Sequence, residues 1–459
     1  MTFPIHDGIL PRHQAVLPAA CDTVVIGGGI IGVMTARALA KKGQRVVLCE
    51  KGLIAGEQSS RNWGWIRQQG RDPAELPIMM ESLALWRGLA AELGAGAGAG
   101  SASGTGERLG FRQSGVLYLA NQEADMAGFQ AWLDSVAGSG VDSRMLSARE
   151  VADLVPTSQA GWVGGLWTAS DARAEPWAAV SLFADLAAAD GVVIREHCAV
   201  RCLDLAAGRV AGVVTEAGRI ACDQVIVAAG AWSRLFLRAH GVSIPQLSVL
   251  SSVAATGPLP DLFQGAAVDR HFAFRRRADG GYTLAPGDHN DFYIGPDAFR
   301  ELRSYWPLLG RTFGQTAMRP MAPKGFPDAW STPRRLDGDR VSPFENLRIL
   351  NPRPNMRALE RMQNRFAAAF PQIGKPRLTA TWAGMIETMP DIVPIIDRTP
   401  KLPGLIIATG LCGHGFGIGP GMGRVIASLT LGEEIGHDMR RFRLSRFSDG
   451  SVLVPGPSL

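Results

Sequence analysis

Three glycines of this chain, Gly27, Gly29 and Gly32, occupy the glycine places of the pattern G-x-G-x-x-G, and Glu50 follows them. In such a turn the first glycine permits a tight bend, the second lets the backbone approach a pyrophosphate, and the third lets a helix pack closely on a strand. An acidic residue at the place of Glu50 hydrogen-bonds ribose hydroxyls. These residue types at this spacing predict a site for the diphosphate and ribose of a dinucleotide.

The strands and the helix that would position these residues are predicted at the expected places around them. Residues 23–26 are an apolar run typical of a strand buried in a parallel sheet, residues 30–42 predict a helix, and residues 45–49 predict a second strand. The N-terminus of that helix would offer free N–H groups and a positive dipole to the diphosphate. The stretch 21–50 thus predicts a nucleotide-binding βαβ unit. The acid at the ribose position disfavours NADP, whereas FAD and NAD both stay as alternatives at this point.

The bulk properties are those of a multidomain globular protein. A chain of 459 residues exceeds one ordinary core, and 46% hydrophobic with 19% charged residues argues against disorder. The formal charge of +5 is modest for this length. The arginine runs at 275–277 and 440–443 lack the interleaved aromatic residues of a nucleic-acid groove. We therefore expect no nucleic-acid partner and at most peripheral contact with a membrane.

The cysteines and the N-terminus bear on metal binding and location. The six cysteines form neither a C-x-x-C pair nor a His/Cys metal spacing, which predicts no metal site and a reducing compartment. Prolines interrupt the N-terminal residues, and no basic region precedes a long apolar stretch. We therefore expect a cytoplasmic protein without a signal peptide or transmembrane helix.

The rest of the chain predicts two interleaved domains. The apolar strand at 224–227 ends in Ala-Ala-Gly, which permits close backbone approach to a ligand, and a strand at 405–410 leads into a glycine-rich loop and a helix. Residues 240–375 instead hold many prolines and a run of strands, which indicates an antiparallel sheet. Residues 94–106, GAGAGAGSASGTG, predict a flexible surface loop.

The predicted fold class is therefore α/β (α+β overall), with a Rossmann-like nucleotide-binding domain and a discontinuous second domain on a mainly antiparallel sheet. The predicted ranges are 20–90, 150–238 and 376–440 for the nucleotide-binding domain, 91–149 and 239–375 for the substrate-binding domain, 1–19 for a leader and 441–459 for a tail.

Five motifs occur in an informative order: IGGGIIG followed by Glu50, EKGLIAGEQSSRNWG, VIVAAGAWS, WAGMIETMPDIVPIID and GLCGHGFGIGPGMGR. Together they make the chain resemble the FAD-dependent D-amino-acid-oxidase-like family over nearly its whole length. That family includes glycine and sarcosine oxidases, D-amino-acid dehydrogenases and bacterial L-amino-acid deaminases. The resemblance favours FAD over NAD.

The resemblance implies which residues of this chain contact the cofactor. The N-terminus of a helix from Pro420 onward would stabilise the anionic charge that gathers on the flavin. The implied FAD-binding residues are Gly27, Gly29, Ile30, Ile31, Gly32, Glu50, Lys51, Gln58, Ser59, Ser60, Asn62, Trp63, Gly64, Val200, Ala229, Gly230, Trp232, Gly410, Gly413, His414, Gly415, Phe416, Gly417 and Ile418.

Two residues of the last glycine-rich motif have alternative interpretations. His414 invites a catalytic role, but its flanking glycines favour cofactor contact or packing. Cys412 raises the question of a covalent flavin thioether. The covalent members of the family do not place their cysteine in this motif, so the resemblance implies non-covalent FAD.

The substrate carboxylate of such an enzyme should be clamped by an arginine, whose planar fork pairs with it bidentately. Some family members place this arginine directly after Trp-Ala-Gly, where this chain has Met385. Resemblance to the L-amino-acid deaminases puts it instead at Arg275, with Arg319 as runner-up and an exposed basic strand as the alternative. In addition to Arg275, the candidates for the catalytic centre are Gln69 and His271. The candidates for the substrate pocket are Gln68, Phe272, Trp382 and Phe416.

The resemblance implies an FAD-dependent oxidoreductase that oxidises the C–N bond of an amino acid or secondary amine by hydride transfer to flavin N5. The resulting imine would be hydrolysed to a keto acid. The electron acceptor would be oxygen or a quinone or electron-transfer protein. Two alternatives stay open: a 2-hydroxy-acid dehydrogenase on the same fold, and a non-catalytic flavoprotein subunit of a larger oxidase.

Overall fold

The computed structural model of this chain describes residues 4–95, 108–156, 158–312 and 316–457. The flexible loop predicted at 94–106 lies outside these residues apart from Gly94 and Ala95, which close a helix.

The secondary structure alternates between helices and strands along the chain. The helices are α1 (Ile30–Ala40), α2 (Gln58–Arg61), α3 (Leu76–Ala95), α4 (Glu123–Ser135), α5 (Ala148–Leu154), α6 (Pro176–Ala189), α7 (Ser233–Ala239), α8 (Pro296–Thr312), α9 (Pro343–Asn346), α10 (Met356–Ala369) and α11 (Gly415–Leu431), with 3₁₀ turns at Gly230–Trp232, Arg440–Phe442 and Leu444–Phe447. The strands are β1 (Thr23–Ile26), β2 (Val46–Cys49), β3 (Trp65–Ile66), β4 (Arg112–Gln113), β5 (Val116–Ala120), β6 (Ser143–Ser147), β7 (Gly164–Thr168), β8 (Ala172–Arg173), β9 (Val193–Arg195), β10 (Val200–Ala206), β11 (Arg209–Thr215), β12 (Gly218–Ala221), β13 (Gln224–Val227), β14 (Leu247–Pro258), β15 (Ala266–Val268), β16 (Phe272–Arg276), β17 (Gly281–Pro286), β18 (Asn290–Tyr293), β19 (Thr316–Arg319), β20 (Leu378–Thr388), β21 (Ile395–Arg398) and β22 (Leu405–Thr409).

A six-stranded sheet in the order β21-β22-β13-β1-β2-β9 is the centre of the nucleotide-binding domain. Its strands are parallel except β21, and β1 lies between β2 and β13. Every residue of β1 and β2 is buried, which is why these strands are continuous apolar runs. On one face α1, α6 and α11 share a core with Val25 and Leu48, and on the other Val24 and Val47 pack under β11 and α7. The predicted βαβ unit and Rossmann-like layer are confirmed.

A second sheet of ten strands has the order β19-β18-β14-β17-β16-β15-β5-β7-β6, with β20 paired to β14. It is mainly antiparallel, as predicted, with parallel pairs only at β5–β15 and β18–β19. Phe272 and Phe274 project from β16 against Phe366 and Phe370 of α10. Because aromatic side chains of alternate residues pack on this helix, the opposite face of the sheet is left to face the nucleotide-binding domain.

The chain crosses between the two sheets more often than the predicted ranges provide for. Strands β7 and β20 lie within ranges assigned to the nucleotide-binding domain, yet both pair in the ten-stranded sheet. The last helix also begins earlier than expected, because α11 starts at Gly415 and contains Pro420 within it. Across the part of the chain that the structure describes, no helix is both long enough and apolar enough to span a bilayer, and no grouping of His, Cys, Asp and Glu is suited to a metal ion.

Candidate active site

A cavity of about 1090 Å³ lies between the two sheets. Ile26, Cys49 and Ala408 belong to its wall, so the carboxyl ends of three strands of the parallel sheet open into it. Val253 of β14 and Ile386 of β20 form part of the opposite wall. A crevice outside the carboxyl ends of the strands is where α/β sheets bind ligands. Its volume exceeds what a small ligand alone requires, which suits a dinucleotide together with a substrate.

The glycine turn at one end of the cavity has the close approaches that its sequence predicts. Gly27 has a φ of 111°, which is strained for any side chain, and a Cβ on Gly32 would lie 1.9 Å from the carbonyl oxygen of Gly27. The backbone N–H of Gly28 donates to Oε2 of Glu50 at 2.7 Å, and that of Gly52 donates to Oε1 at 2.7 Å. Glu50 therefore closes the turn between the first two strands.

Burial raises the pKa of Glu50 to about 7, although the Lys51 ammonium and the two backbone N–H groups oppose this shift. Lys51 itself bonds Oε1 of Glu57 at 2.6 Å and lies 4.5 Å from the ring centroid of Trp232. Trp232 donates its indole N–H to Glu57 at 3.0 Å. The acidic and basic side chains at this end are thus held in place by one another before any ligand binds.

Two helices begin at the wall of the cavity. The N-terminus of α1 follows Gly29, and the backbone N–H of Ile30 donates to Oγ of Ser59 at 3.0 Å. The N-terminus of α11 follows His414. Neither helix has an acidic residue in its first turn. Both positive helix ends therefore remain available to anionic parts of a ligand.

The segment after α2 forms a turn that Asn62 stabilises. Its Nδ2 donates to the carbonyl of Ser59 at 3.0 Å, and its Oδ1 accepts the backbone N–H of Gly64 at 2.8 Å. The turn places Trp63 on the cavity wall. A Cβ on Gly64 would lie 2.4 Å from the carbonyl oxygen of Ala174, which is why this position takes glycine.

Most of the predicted cofactor residues lie on the wall of this one cavity. These are Gly27, Gly29, Ile30, Ile31, Glu50, Lys51, Gln58, Ser59, Asn62, Trp63, Val200, Ala229, Gly230, Trp232, Gly413, His414, Gly415 and Phe416. The remaining candidates are buried behind the wall and support the backbone that forms it. These are Gly32, Ser60, Gly64, Gly410, Gly417 and Ile418. A glycine-lined turn, two open helix ends and an acidic residue at the strand end are chemically suited to the diphosphate, ribose and flavin of FAD.

Cys412 is also on the wall, but its thiol is engaged by the protein. It accepts the backbone N–H of Met389 at 3.2 Å and donates to the carbonyl of Gly410 at 3.1 Å. Burial raises the pKa of this thiol well above its usual value. Because the thiolate is the reactive form of cysteine, this environment does not activate Cys412 as a nucleophile.

His414 and Glu75 form a buried pair beside the N-terminus of α11. Nδ1 of His414 lies 3.1 Å from Oε2 of Glu75, and both side chains are almost fully buried. Burial lowers the pKa of His414 to about 4, and Arg71 and Arg67 add to this shift while Glu75 opposes it. Burial alone would raise the pKa of Glu75, but His414, Arg71 and Arg67 together hold that pKa below its usual value. Glu75 is therefore ionised and His414 neutral near pH 7.

Two arginines that were not among the predicted site residues lie next to this pair. Arg71 donates to the carbonyl of His414 at 3.0 Å, and its Nη1 lies 3.5 Å from Glu75. Arg67 lies over the ring of Tyr118 at 5.8 Å and bonds the carbonyl of Gln69 through Nη1. Its Nη2 is buried and has no hydrogen-bond partner within the described ranges. Both residues belong to the cavity wall.

Arg275, the predicted carboxylate clamp, is not on that wall. Its Nη1 and Nη2 lie 3.1 and 2.9 Å from the two carboxylate oxygens of Glu175, and Nη2 also bonds Thr283 at 3.3 Å. The alternation along β16 places Arg275 on the face opposite Phe274. The charge of Arg275 is thus already satisfied by the protein, and its role as the clamp stays a prediction.

The two predicted glutamines lie in a buried network behind Arg67. Gln68 donates through Nε2 to Ser170 at 2.7 Å, and Gln69 accepts the hydroxyl of Thr168 at 2.7 Å. Asp171 accepts the backbone N–H groups of both glutamines at 2.7 and 3.3 Å. These side chains hold the loop that presents Arg67 and do not themselves reach the cavity wall.

Of the other predicted substrate residues, Phe416 lies on the wall, and the rest lie off it for two reasons. His271 bonds Arg365, and Arg319 bonds Asp291, on partly exposed surfaces. The remaining three are packed inward: Phe272 against α10, Trp382 with its indole N–H on the carbonyl of Arg61, and Met385 in the core cluster that contains Leu250.

The missed residues carry a sequence signal that could have found them. Arg67, Arg71 and Glu75 recur at intervals of four, directly after the predicted flavin-edge segment. Charged residues that close to a cofactor segment are unusual unless they are paired or functional. The pattern alone does not say which of them is paired.

The comparisons with known proteins agree with this geometry. The family model described as "FAD dependent oxidoreductase" matches residues 22–429. A glycine oxidase from Pseudomonas putida is 31% identical over 331 residues, which cover 67% of this chain and 84% of that protein. The sarcosine oxidase subunit beta from Rhizobium meliloti is 25% identical over 440 residues, which cover 94% of this chain and 89% of that protein.

Solved structures show the same relationship. The L-amino acid deaminase from Proteus myxofaciens, determined in complex with anthranilate, superimposes with a TM-score of 0.87 at 29% sequence identity and covers 96% of each chain. The family model spans far more than half of this sequence. The protein therefore belongs to the family of FAD-dependent oxidoreductases and is an FAD-dependent enzyme.

Proposed function

We propose that this enzyme oxidises the C–N bond of an amino acid or a related secondary amine, giving an imine that water hydrolyses to a keto acid. The similarity to a glycine oxidase, a sarcosine oxidase subunit and an L-amino acid deaminase supports this reaction class. FAD, when bound, supplies the hydride acceptor. The side chains of this chain bind the substrate and orient it.

The observation that carries the proposal is a set of buried donors without partners on the cavity wall. Nη2 of Arg67, Nη1 of Arg71 and Nε1 of Trp65 have no hydrogen-bond partner among the residues that the structure describes. A buried donor left unpaired costs about 1–3 kcal/mol, and more when it is charged. Such groups are satisfied when an anionic ligand with several acceptor oxygens binds, and a carboxylate is such a ligand.

We assign the carboxylate of the substrate to Arg67. Arg71 lies close to the carboxylate of Glu75, and Arg275 is paired with Glu175. Arg67 has no ion-pair partner in the described ranges, and it is buried. A guanidinium is less strongly hydrated than an ammonium and binds carboxylates bidentately, so it suits a buried clamp. Arg275 is the alternative clamp, and it would have to leave Glu175 first.

Apolar side chains make up much of the remaining wall of the cavity. Leu119, Phe129 and Leu166 lie on the side of Tyr118. Phe292 and Ile294 lie on the side of α8. A dry surrounding strengthens the interaction of Arg67 with a carboxylate and protects an imine until it is released.

The experiment is anaerobic titration of the FAD-loaded protein with D- and L-amino acids, N-methyl amino acids and 2-hydroxy acids, followed by the visible absorbance of the flavin. We expect bleaching by one class of amine. Recovery of the colour in air would identify oxygen as the acceptor, whereas recovery only with a quinone or electron-transfer protein would identify a dehydrogenase. Bleaching by hydroxy acids alone would replace the proposal with 2-hydroxy-acid oxidation. A flavin that no compound bleaches would contradict it.

A further inference from the structure

One ring nitrogen of His414 is paired within the protein, and the other is not. Nδ1 lies 3.1 Å from Oε2 of Glu75, and the side chains of the two residues are 1% and 0% exposed. Nε2 is buried without a hydrogen-bond partner among the described residues. His414 belongs to the cavity wall, so this unpaired atom lies in a residue that borders the volume a ligand would fill. A buried polar atom left unpaired requires such an explanation.

The proton of the imidazole has a defined place. A carboxylate can only accept, so the ionised Glu75 takes the N–H of Nδ1 and leaves Nε2 with a lone pair. Arg71 keeps Glu75 charged from 3.5 Å away. Burial and the two guanidinium groups lower the pKa of His414 to about 4, which keeps the ring neutral. Nε2 is consequently a hydrogen-bond acceptor, not a donor.

The other unpaired atoms of nearby wall residues are mainly hydrogen-bond donors. Arg67 and Trp65 each contribute an unpaired donor to this part of the wall, whereas Arg71 is engaged with Glu75. His414 adds an acceptor to them, and Oε2 of Glu387 is a second unpaired acceptor on the wall. A molecule complementary to this set carries a carboxylate for the donors and an N–H group for the acceptor.

We propose that His414 binds the amino group of the substrate through Nε2, and that Glu75 is the positioning residue that keeps the proton on Nδ1. The inference rests on the proposed oxidation of an amino acid and names how this site recognises the amine. It assigns no proton transfer to His414. The ring accepts one N–H of the substrate and thereby orients the C–N bond that is oxidised.

The test compares two ligands of the FAD-loaded protein that differ only in the amino group. 2-Aminoisobutyrate has no hydrogen on its α-carbon and cannot be oxidised, and isobutyrate is the same acid with hydrogen in place of the amine. Their dissociation constants are measured from the perturbation of the flavin absorbance spectrum. Binding is thus read without turnover, so that the result does not depend on the bleaching experiment.

Three variants address the acceptor. His414→Phe removes Nε2 and keeps a ring, and His414→Gln offers an amide oxygen in its place. Glu75→Leu takes away the acceptor of the Nδ1 proton, so that nothing keeps this proton off Nε2. His437→Phe is the matched control, because His437 also pairs with a glutamate, Glu81 at 2.7 Å, but lies off the cavity wall.

We expect His414→Phe and Glu75→Leu to weaken the binding of 2-aminoisobutyrate by about tenfold or more, which corresponds to one buried hydrogen bond, while the binding of isobutyrate changes by less than about twofold. His414→Gln should recover part of the difference, and His437→Phe should bind both ligands as the unchanged protein does. If the binding of both ligands is weakened equally, or the binding of neither is weakened, the proposal is overturned. Loss of FAD from both His414→Phe and Glu75→Leu would also overturn it, since the pair would then serve the cofactor.

Discussion

Arg275 and Glu175 face each other in a bidentate ion pair, with nitrogen–oxygen distances of 3.1 and 2.9 Å. Arg275 lies on β16 of the ten-stranded sheet, and Glu175 is the residue before α6 of the nucleotide-binding domain. Glu175 also accepts the backbone N–H of Ala278 at 2.9 Å. Both side chains are almost completely buried. The pair therefore joins the two domains at a place that water does not reach.

Removing one partner of this pair should be costly for stability. We expect Arg275→Met and Glu175→Gln each to lower the free energy of unfolding by about 3–5 kcal/mol, because a buried charge loses its counter-charge. The double variant should recover much of the loss. Urea unfolding measures this, and Arg144→Met, which opens the exposed pair with Glu150, is the control, with an expected change of less than about 1 kcal/mol. An Arg275→Met protein of unchanged stability with a greatly raised KM would identify Arg275 as the carboxylate clamp.

Arg67 should determine how tightly the substrate binds. Arg67→Met is expected to raise KM about 100-fold, since truncating one side of a buried charge pair costs about 2–5 kcal/mol. Arg67→Lys should restore part of this loss because it keeps the charge without the planar fork. The control is Arg276→Met, whose guanidinium bonds the carbonyl of Leu259 and the hydroxyl of Tyr282 away from the cavity. An unchanged KM in Arg67→Met would remove Arg67 from the site.

Gly32 should be required for cofactor binding. A Cβ at this position would lie 1.9 Å from the carbonyl oxygen of Gly27, so Gly32→Ala must push α1 away from the glycine turn. We expect the purified variant to lose its flavin absorbance and to be less stable by about 1–3 kcal/mol. Gly88→Ala is the matched control, because nothing lies within 4 Å of a Cβ there and the helix should gain about 0.5–1 kcal/mol. Full flavin content in Gly32→Ala would refute this prediction.

Asp171 should make the stability depend on pH. Burial raises its pKa to about 7, although the backbone N–H and side chain of Gln68 oppose this shift. The unfolded carboxyl titrates near about 4, so between about pH 4 and 7 the folded protein binds more protons and its stability falls as pH rises.

The loss assigned to Asp171 is at most about 4 kcal/mol, from about three pKa units. Asp171→Asn carries no charge at any pH and should therefore lose less stability than the unchanged protein between pH 5 and pH 8. Urea unfolding of the cofactor-free proteins at these two pH values measures the difference. An equally steep decline in both proteins would show that Asp171 does not titrate in this range.

The amino-acid sequence alone determined the nucleotide-binding half of the site. The glycine turn, Glu50 and the two strands around α1 depend on neighbours within thirty residues, so the spacing of residue types was sufficient to predict them. Gly27, Gly29, Ile30, Ile31 and Glu50 accordingly lie on the wall of one cavity.

Only the tertiary structure decided which charged residues are free to bind a substrate. Arg275 and Arg67 are both arginines near a predicted site, but Glu175, a hundred residues before Arg275 in the chain, pairs with the first and not with the second. Charge pairing depends on which distant segments fold together, and no local pattern encodes it. The same reason applies to His414, whose proton is placed by Glu75 from the far end of the sequence.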